Sequence, residues 1–174
     1  MSNLINFVLR STNVNGWPLV KIKSVNDEFR EIKINQELTD FSVTVPLHQG
    51  NNCILLSRYN KTSNNSTQES DQILEIVNIT IDGIKIPDFV LDQHSKFQFN
   101  DQIHYGSRYF SPNGIWTFEF QTPIITWVLD QQIIHESKYN QDYIYPWSYK
   151  FGPDSVQHLK NQLDSVYKII QETL

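Results

Sequence analysis

The chain contains no alanine and only one cysteine among its 174 residues. Alanine is the strongest helix former, so its absence beside plentiful Ile, Val, Phe and Tyr tilts the chain towards strands. The single Cys53 excludes an intramolecular disulfide and suits a reducing compartment. Its setting in "NCILL" reads as a small buried side chain. Charge is scarce as well, with 19% charged residues and a net charge of −5. Lys and Arg nowhere form a run, so nucleic acid is excluded as the main partner, because phosphate binding needs clustered cations. No apolar run approaches the roughly 20 residues of a membrane span. The start, "MSNLINFVLR", lacks the basic region, apolar stretch and small-residue site of a secretion signal. The glycosylation-type sequons at Asn60, Asn64, Asn65 and Asn78 follow from the Asn-rich composition.

Catalytic constellations are missing too. Histidines stand at 48, 94, 104, 135 and 158, with no i, i+4 pair and no ligand spacing to a cysteine or carboxylate. There is no Gly-rich phosphate loop and no G-x-S-x-G elbow. Asp88, Asp92, Asn100 and Asp101 offer oxygen atoms for calcium, and His104 lies near Asp101, yet no calcium-loop spacing appears. They read as solvated loop side chains. Glu119 faces outwards, and strand carboxylates are too few for the facing pair a glycosidase requires. No catalytic residue, metal site or cofactor is therefore assigned, and the chain reads as a non-enzyme.

What is present is strand patterning. Ile5, Phe7 and Leu9 alternate with polar or smaller residues, as do Val20 and Ile22, Ile32 and Ile34, and Phe41, Val43 and Val45. In "NITIDGIKIPDF", Asp82-Gly83 marks a two-residue hairpin that sets Ile81 opposite Ile84 and Ile79 opposite Ile86. Pro87 then ends the strand. The stretch Tyr59–Gln72 is polar and aperiodic, which predicts a long mobile surface loop. In "NGIWTFEFQTPIITWVLD", Asn113-Gly114 turns into a strand whose Trp116, Phe118 and Phe120 share one face, the mark of a core strand rather than a ligand platform. Thr122 reads as an N-cap and Pro123 as the first residue of a helix to about Ile134. Ile125, Val128, Leu129 and Ile133 form its stripe, with Trp127 on the flank.

Beyond this, Tyr139, Tyr143, Tyr145, Trp147, Tyr149 and Phe151 crowd into thirteen residues. Tyr139, Tyr143, Tyr145, Trp147 and Tyr149, together with the loop Tyr59–Gln72, are the candidate glycan contacts, since rings stack on sugar C–H groups. Val156, Leu159, Leu163, Val166 and Ile170 form an a/d seam on a terminal helix, which predicts self-association into a homo-oligomer. The expected fold is mainly β: a two-sheet antiparallel, jelly-roll-like sandwich with C-terminal helices. Residues 1–135 would form the sandwich and its closing helix, 136–152 an aromatic-rich linker and 153–174 the association helix.

Asn113, Gly114, Trp116, Phe118, Phe120, Pro123, Trp127 and Leu129 spell N-G-x-W-x-F-x-F-x-x-P-x-x-x-W-x-L. With "YNKT" and "ITIDGIKI" upstream, this resembles small β-sandwich proteins of bacteriophages, especially of marine and cyanobacterial hosts, over roughly residues 40 to 130. The pattern is also similar to the carbohydrate-binding-module sandwich, including its calcium-dependent branch. The resemblance implies a virion structural or adhesion protein, assembled with other virion subunits in the host cytoplasm. A carbohydrate-binding module that contacts a cell-surface glycan is the alternative, and a jelly-roll enzyme comes last. The matched residues are core residues, which speak for fold and leave function open.

Overall fold

The computed structural model describes residues 2–24, 30–139, 160–161 and 163–164. Contacts divide the chain into two compact units, Met1–Thr122 and Pro123–Leu174. The first holds two antiparallel sheets. One contains β1 (Ser2–Ser11), β4 (Leu38–Pro46), β6 (Leu74–Ile81), β7 (Ile84–Lys85) and β10 (Tyr109–Phe110), in the order β10-β6-β1-β4 with β7 paired to β6. The other contains β2 (Leu19–Ser24), β3 (Arg30–Ile32), β5 (Gly50–Tyr59), β8 (Ser95–Phe99), β9 (Gln102–Tyr105) and β11 (Gly114–Thr122), in the order β3-β2-β5-β11-β8-β9. The sheets meet face to face: Phe110 of β10 stacks on Phe97 of β8 with ring centroids 4.5 Å apart. This is the two-sheet antiparallel sandwich that the alternating pattern predicts.

Position within each sheet decides how fully each inward side chain is covered. β1 and β6 have neighbours on both sides, and Ile5, Phe7, Leu9, Leu74, Ile76, Ile79 and Ile81 are buried. β4 is an edge, so Val45 is buried while Phe41 and Val43 are only half-buried; Phe41 stacks on Phe7 at 5.0 Å. β11 lies between β5 and β8. Trp116, Phe118 and Phe120 are accordingly 0%, 0% and 2% exposed. The Trp116 indole N–H donates to the Ser107 carbonyl at 2.9 Å, so the ring's one polar atom is satisfied inside. These rings are core.

The Asp82-Gly83 hairpin forms in the predicted register, with Ile81 opposite Ile84 and the Ile86 N–H donating to the Ile79 carbonyl at 2.9 Å. Asp82 at φ 50° and Gly83 at φ 81° both take the left-handed backbone the turn needs. The Asp82 carboxylate accepts from Leu4 N at 2.8 Å and from the Asn3 amide at 2.6 Å, which ties the turn to β1.

Several local expectations are corrected. Asp88 and Asp92 are not loop residues but lie on the helix α1 (Asp88–His94), which buries Val90 and Leu91. Seven residues give too short a period for the sequence to reveal it. Gly114 is already inside β11, where a Cβ would stand 2.4 Å from the Gln98 carbonyl oxygen, so close strand packing rather than the turn requires glycine. Cys53 is half-buried on the outward face of β5 rather than buried. Thr122 ends β11, and its hydroxyl donates to the His48 carbonyl instead of capping a helix.

In the second unit, α2 spans Ile124–Tyr139, longer than predicted. The Pro123 carbonyl accepts from Trp127 N at 3.2 Å and from the Thr126 hydroxyl at 2.9 Å. Its buried positions are Ile124, Thr126, Trp127 and Val128, so Trp127 belongs to the stripe, while Ile125, Leu129 and Ile133 are half-buried. Lys160 and Leu163 are helical, and Lys160 pairs with Asp130 at 2.5 Å.

Candidate functional site

The inward face of β5 runs Asn52, Ile54, Leu56, Arg58. The last of these breaks the apolar pattern: Arg58 is 1% exposed between the sheets. Its guanidinium donates to the Phe110 carbonyl at 3.1 Å, and to the Gln72 carbonyl and the Gln72 side-chain oxygen, both at 2.8 Å. Burial pushes its pKa down to about 10, against the opposing pull of Asp71, so it stays charged at neutral pH. Carbonyl dipoles thus replace the lost hydration of its two terminal nitrogens, while Nε, also buried, has no hydrogen-bond partner among the described residues. Gln72, itself buried, passes the connection outwards by donating to the Gly16 carbonyl at 2.7 Å.

The loop that follows β5 is pinned, contrary to the predicted mobile segment. A 3-10 turn occupies Ser63–Asn65. The Asn65 side-chain oxygen accepts from the Thr62 backbone at 2.9 Å and hydroxyl at 3.1 Å, and its amide donates to the Val14 carbonyl at 3.0 Å. Asn113 exchanges two bonds with the Lys61 backbone, at 2.8 and 3.0 Å. Beneath them lies Asp71. Burial raises its pKa, but hydrogen bonds from Lys61, Ser111 and Ser66 and the Lys61 charge outweigh that and hold it well below the usual carboxylate range. Ser111 thus gives its proton to a very weak base, and a general base needs a pKa near the working pH. The cluster is a clamp without the makings of a nucleophile.

These bonds shape a cleft of about 490 Å³ at this end of the sandwich. Asn15 at φ 53° and Gly16 at φ 121° make a left-handed turn that presents Trp17, half-buried, as one wall. Asn60, Asn64 and the Thr62 hydroxyl supply the polar groups, Leu19 adds an apolar edge, and Asn15, Asn65 and Gln72 line the cleft with amides already bonded within the protein. Among the described residues, none of the lining side chains is ionisable. Among the described residues, the Asn60 and Asn64 amides and the Trp17 indole N–H have no hydrogen-bond partner in the protein.

The loop Tyr59–Gln72, one of the two predicted glycan contacts, therefore supplies most of this cleft. Trp17 was missed, read only as part of a turn; its pairing with that loop depends on a contact across more than forty residues. Of the aromatic run, Tyr139 ends α2, and Tyr143, Tyr145, Trp147 and Tyr149 lie outside the described residues. Of the predicted seam, Leu163 is helical and half-buried, while Val156, Leu159, Val166 and Ile170 lie outside the described residues.

The remaining candidates have structural roles. Asp88 and Asp92 both grip Arg108, at 3.1 and 2.8 Å. Asn100 and Asp101 form the β8–β9 turn with φ 45° and 61°, and the His104 ring stacks on Phe99. Among the described residues no group of three or more His, Cys, Asp or Glu could hold a metal ion. Glu119 pairs with Lys96 at 2.6 Å. Burial, then the Glu119 charge, push the Cys53 thiol up, which keeps it protonated. No described helix is long and apolar enough to cross a membrane.

No protein-family model and no curated protein matches this chain. Two solved structures are similar at 16% identity. One is the selenomethionine form of vCBM60, described with two families of calcium-dependent carbohydrate-binding modules. It has a TM-score of 0.49 and covers 67% of this chain and 89% of that one. The other is vCBM60 in complex with galactobiose, with a TM-score of 0.45, covering 66% and 96%.

Proposed function

We propose that this chain is a non-catalytic carbohydrate-binding β-sandwich whose ligand is a neutral saccharide, held in the cleft beside Trp17. The observation that carries the reading is the chemistry of that cleft. Among the described residues it offers an indole, the unpartnered carboxamides of Asn60 and Asn64 and the Thr62 hydroxyl, with no ionisable group. A sugar presents an apolar C–H face and a rim of hydroxyls that both donate and accept. An aromatic wall matches the first, and carboxamides, which also donate and accept, match the second. Among the described residues, phosphorylated and acidic ligands find no cation here. Among the described lining residues, acid–base chemistry finds no titratable group. The pinned loop lowers the ordering cost of binding.

A glycan array followed by titration calorimetry tests this. Trp17→Ala and Asn64→Ala should each lower affinity for the glycan that binds, with Trp17→Ala abolishing measurable binding and Asn64→Ala leaving the melting curve unchanged. Wild-type affinity in Trp17→Ala, or an array without a neutral hit, overturns the reading. Membership of a virion is a further proposal supported by the motif from Asn113 to Leu129, and protein mass spectrometry of purified particles tests it. Self-association through the spacing of Val156, Leu159, Leu163, Val166 and Ile170 is tested by deleting residues from Pro153 onwards and measuring mass in solution.

A further inference from the structure

A second cleft, of about 430 Å³, adjoins the first. Thr62, which is exposed, lines both. Successive residues of the pinned loop divide between them: Asn60, Asn64 and Asn65 face the first, and Lys61, Ser63 and Ser66 face the second. The second cleft repeats the chemistry of the first. It has an aromatic ring, the half-buried Phe99, and polar groups that the protein leaves unused: among the described residues, the Asn100 amide and the Ser63 hydroxyl have no partner. Its only ionisable lining group among the described residues, Lys61, is committed to Asp71 at 2.5 Å. Neither cleft therefore selects for charge.

We infer that the two clefts are adjacent subsites of one groove, and that the ligand is a linear neutral oligosaccharide lying across Thr62. This rests on the saccharide reading of the first cleft and extends it from a single sugar to a chain. The Asn65 bonds to both Thr62 donors fix the residue that the chain must cross, so both subsites share one rigid saddle. A terminal sugar would fill the Trp17 cleft alone. An internal stretch of a chain fills both.

The test uses the whole chain and homologous series of neutral gluco-, manno- and galacto-oligosaccharides of increasing length, titrated by calorimetry. Affinity should rise about tenfold or more between the shortest member that binds and longer ones, as a few added hydrogen bonds and a ring contact require. A double variant, Ser63→Ala with Asn100→Gly, removes the unused groups; glycine keeps the left-handed backbone that Asn100 adopts at φ 45°. It should lose about fivefold to tenfold on the long members and less than about twofold on the shortest. Trp17→Ala should lose both. If affinity does not grow with length, or the double variant binds long members like the wild type, the groove inference falls and the single cleft stands. If no member binds at all, both fall together.

Discussion

Gln72 links the buried charge of the sandwich to the wall of the cleft, and its replacement separates the two roles. Gln72→Ala removes one bond from the Arg58 guanidinium at 2.8 Å and one to the Gly16 carbonyl at 2.7 Å. A hydrogen bond to a charged group contributes about 1.5 to 3 kcal/mol and a neutral one about 1 kcal/mol. Arg58 keeps its bonds to the Phe110 and Gln72 carbonyls, and Gly16 borders open solvent, where water can replace the lost donor. The loss should therefore be about 2 to 3 kcal/mol, or roughly 8 to 12 °C in melting temperature for a unit of this size. Urea unfolding followed by circular dichroism measures it. Gln72→Glu keeps an acceptor for Arg58 and makes it anionic, but sets a carboxylate oxygen against the Gly16 carbonyl. Its stability should stay within about 1 kcal/mol of wild type, while saccharide affinity falls because the turn that carries Trp17 loses its tether. The reasoning is refuted if Gln72→Ala unfolds within about 0.5 kcal/mol of wild type, or if Gln72→Glu is as destabilised as Gln72→Ala.

Phe118→Ala should destabilise the sandwich by about 3 to 5 kcal/mol, the range for a buried phenylalanine; it stacks between Trp116 at 6.0 Å and Phe120 at 5.5 Å. Unchanged melting with lost binding would return these rings to the role of a platform. Gly114→Ala should destabilise by about 1 to 3 kcal/mol through overpacking, because its Cβ meets the Gln98 carbonyl at 2.4 Å and the Phe97 ring at 2.7 Å; a melt at wild-type temperature would contradict that geometry. Asp71 is held below its ordinary value of 3.8 in the folded state. The unfolded chain therefore takes up this proton first, so the stabilisation is complete above that value and is lost as pH falls below it. Unfolding free energy measured from pH 5 down to pH 2 should drop more steeply for wild type than for Asp71→Asn, and parallel curves would show that the clamp contributes nothing.

The sequence alone determined the sandwich. Alternation at Ile5, Phe7 and Leu9, the Asp82-Gly83 turn and the one-sided rings of Trp116, Phe118 and Phe120 are local patterns, and a strand's period of two turns them directly into an inward face. It also held an unread clue, since Ile54, Leu56 and Arg58 share one face of β5 and an arginine there must be buried and paired. Whether a strand is central or an edge is a matter of topology, so the half-exposure of Phe41 and Val43 could not be read from their spacing. The pinned loop stayed hidden for a related reason: its order comes from side-chain bonds to Val14, Asp71 and Asn113, with no periodicity of its own. The cleft is the most tertiary feature of all. Trp17 and the loop residues Asn60 to Asn65 are far apart in sequence, and only the pairing of β2 with β5, which sets Leu19 opposite Tyr59, brings them to the same end of the sandwich.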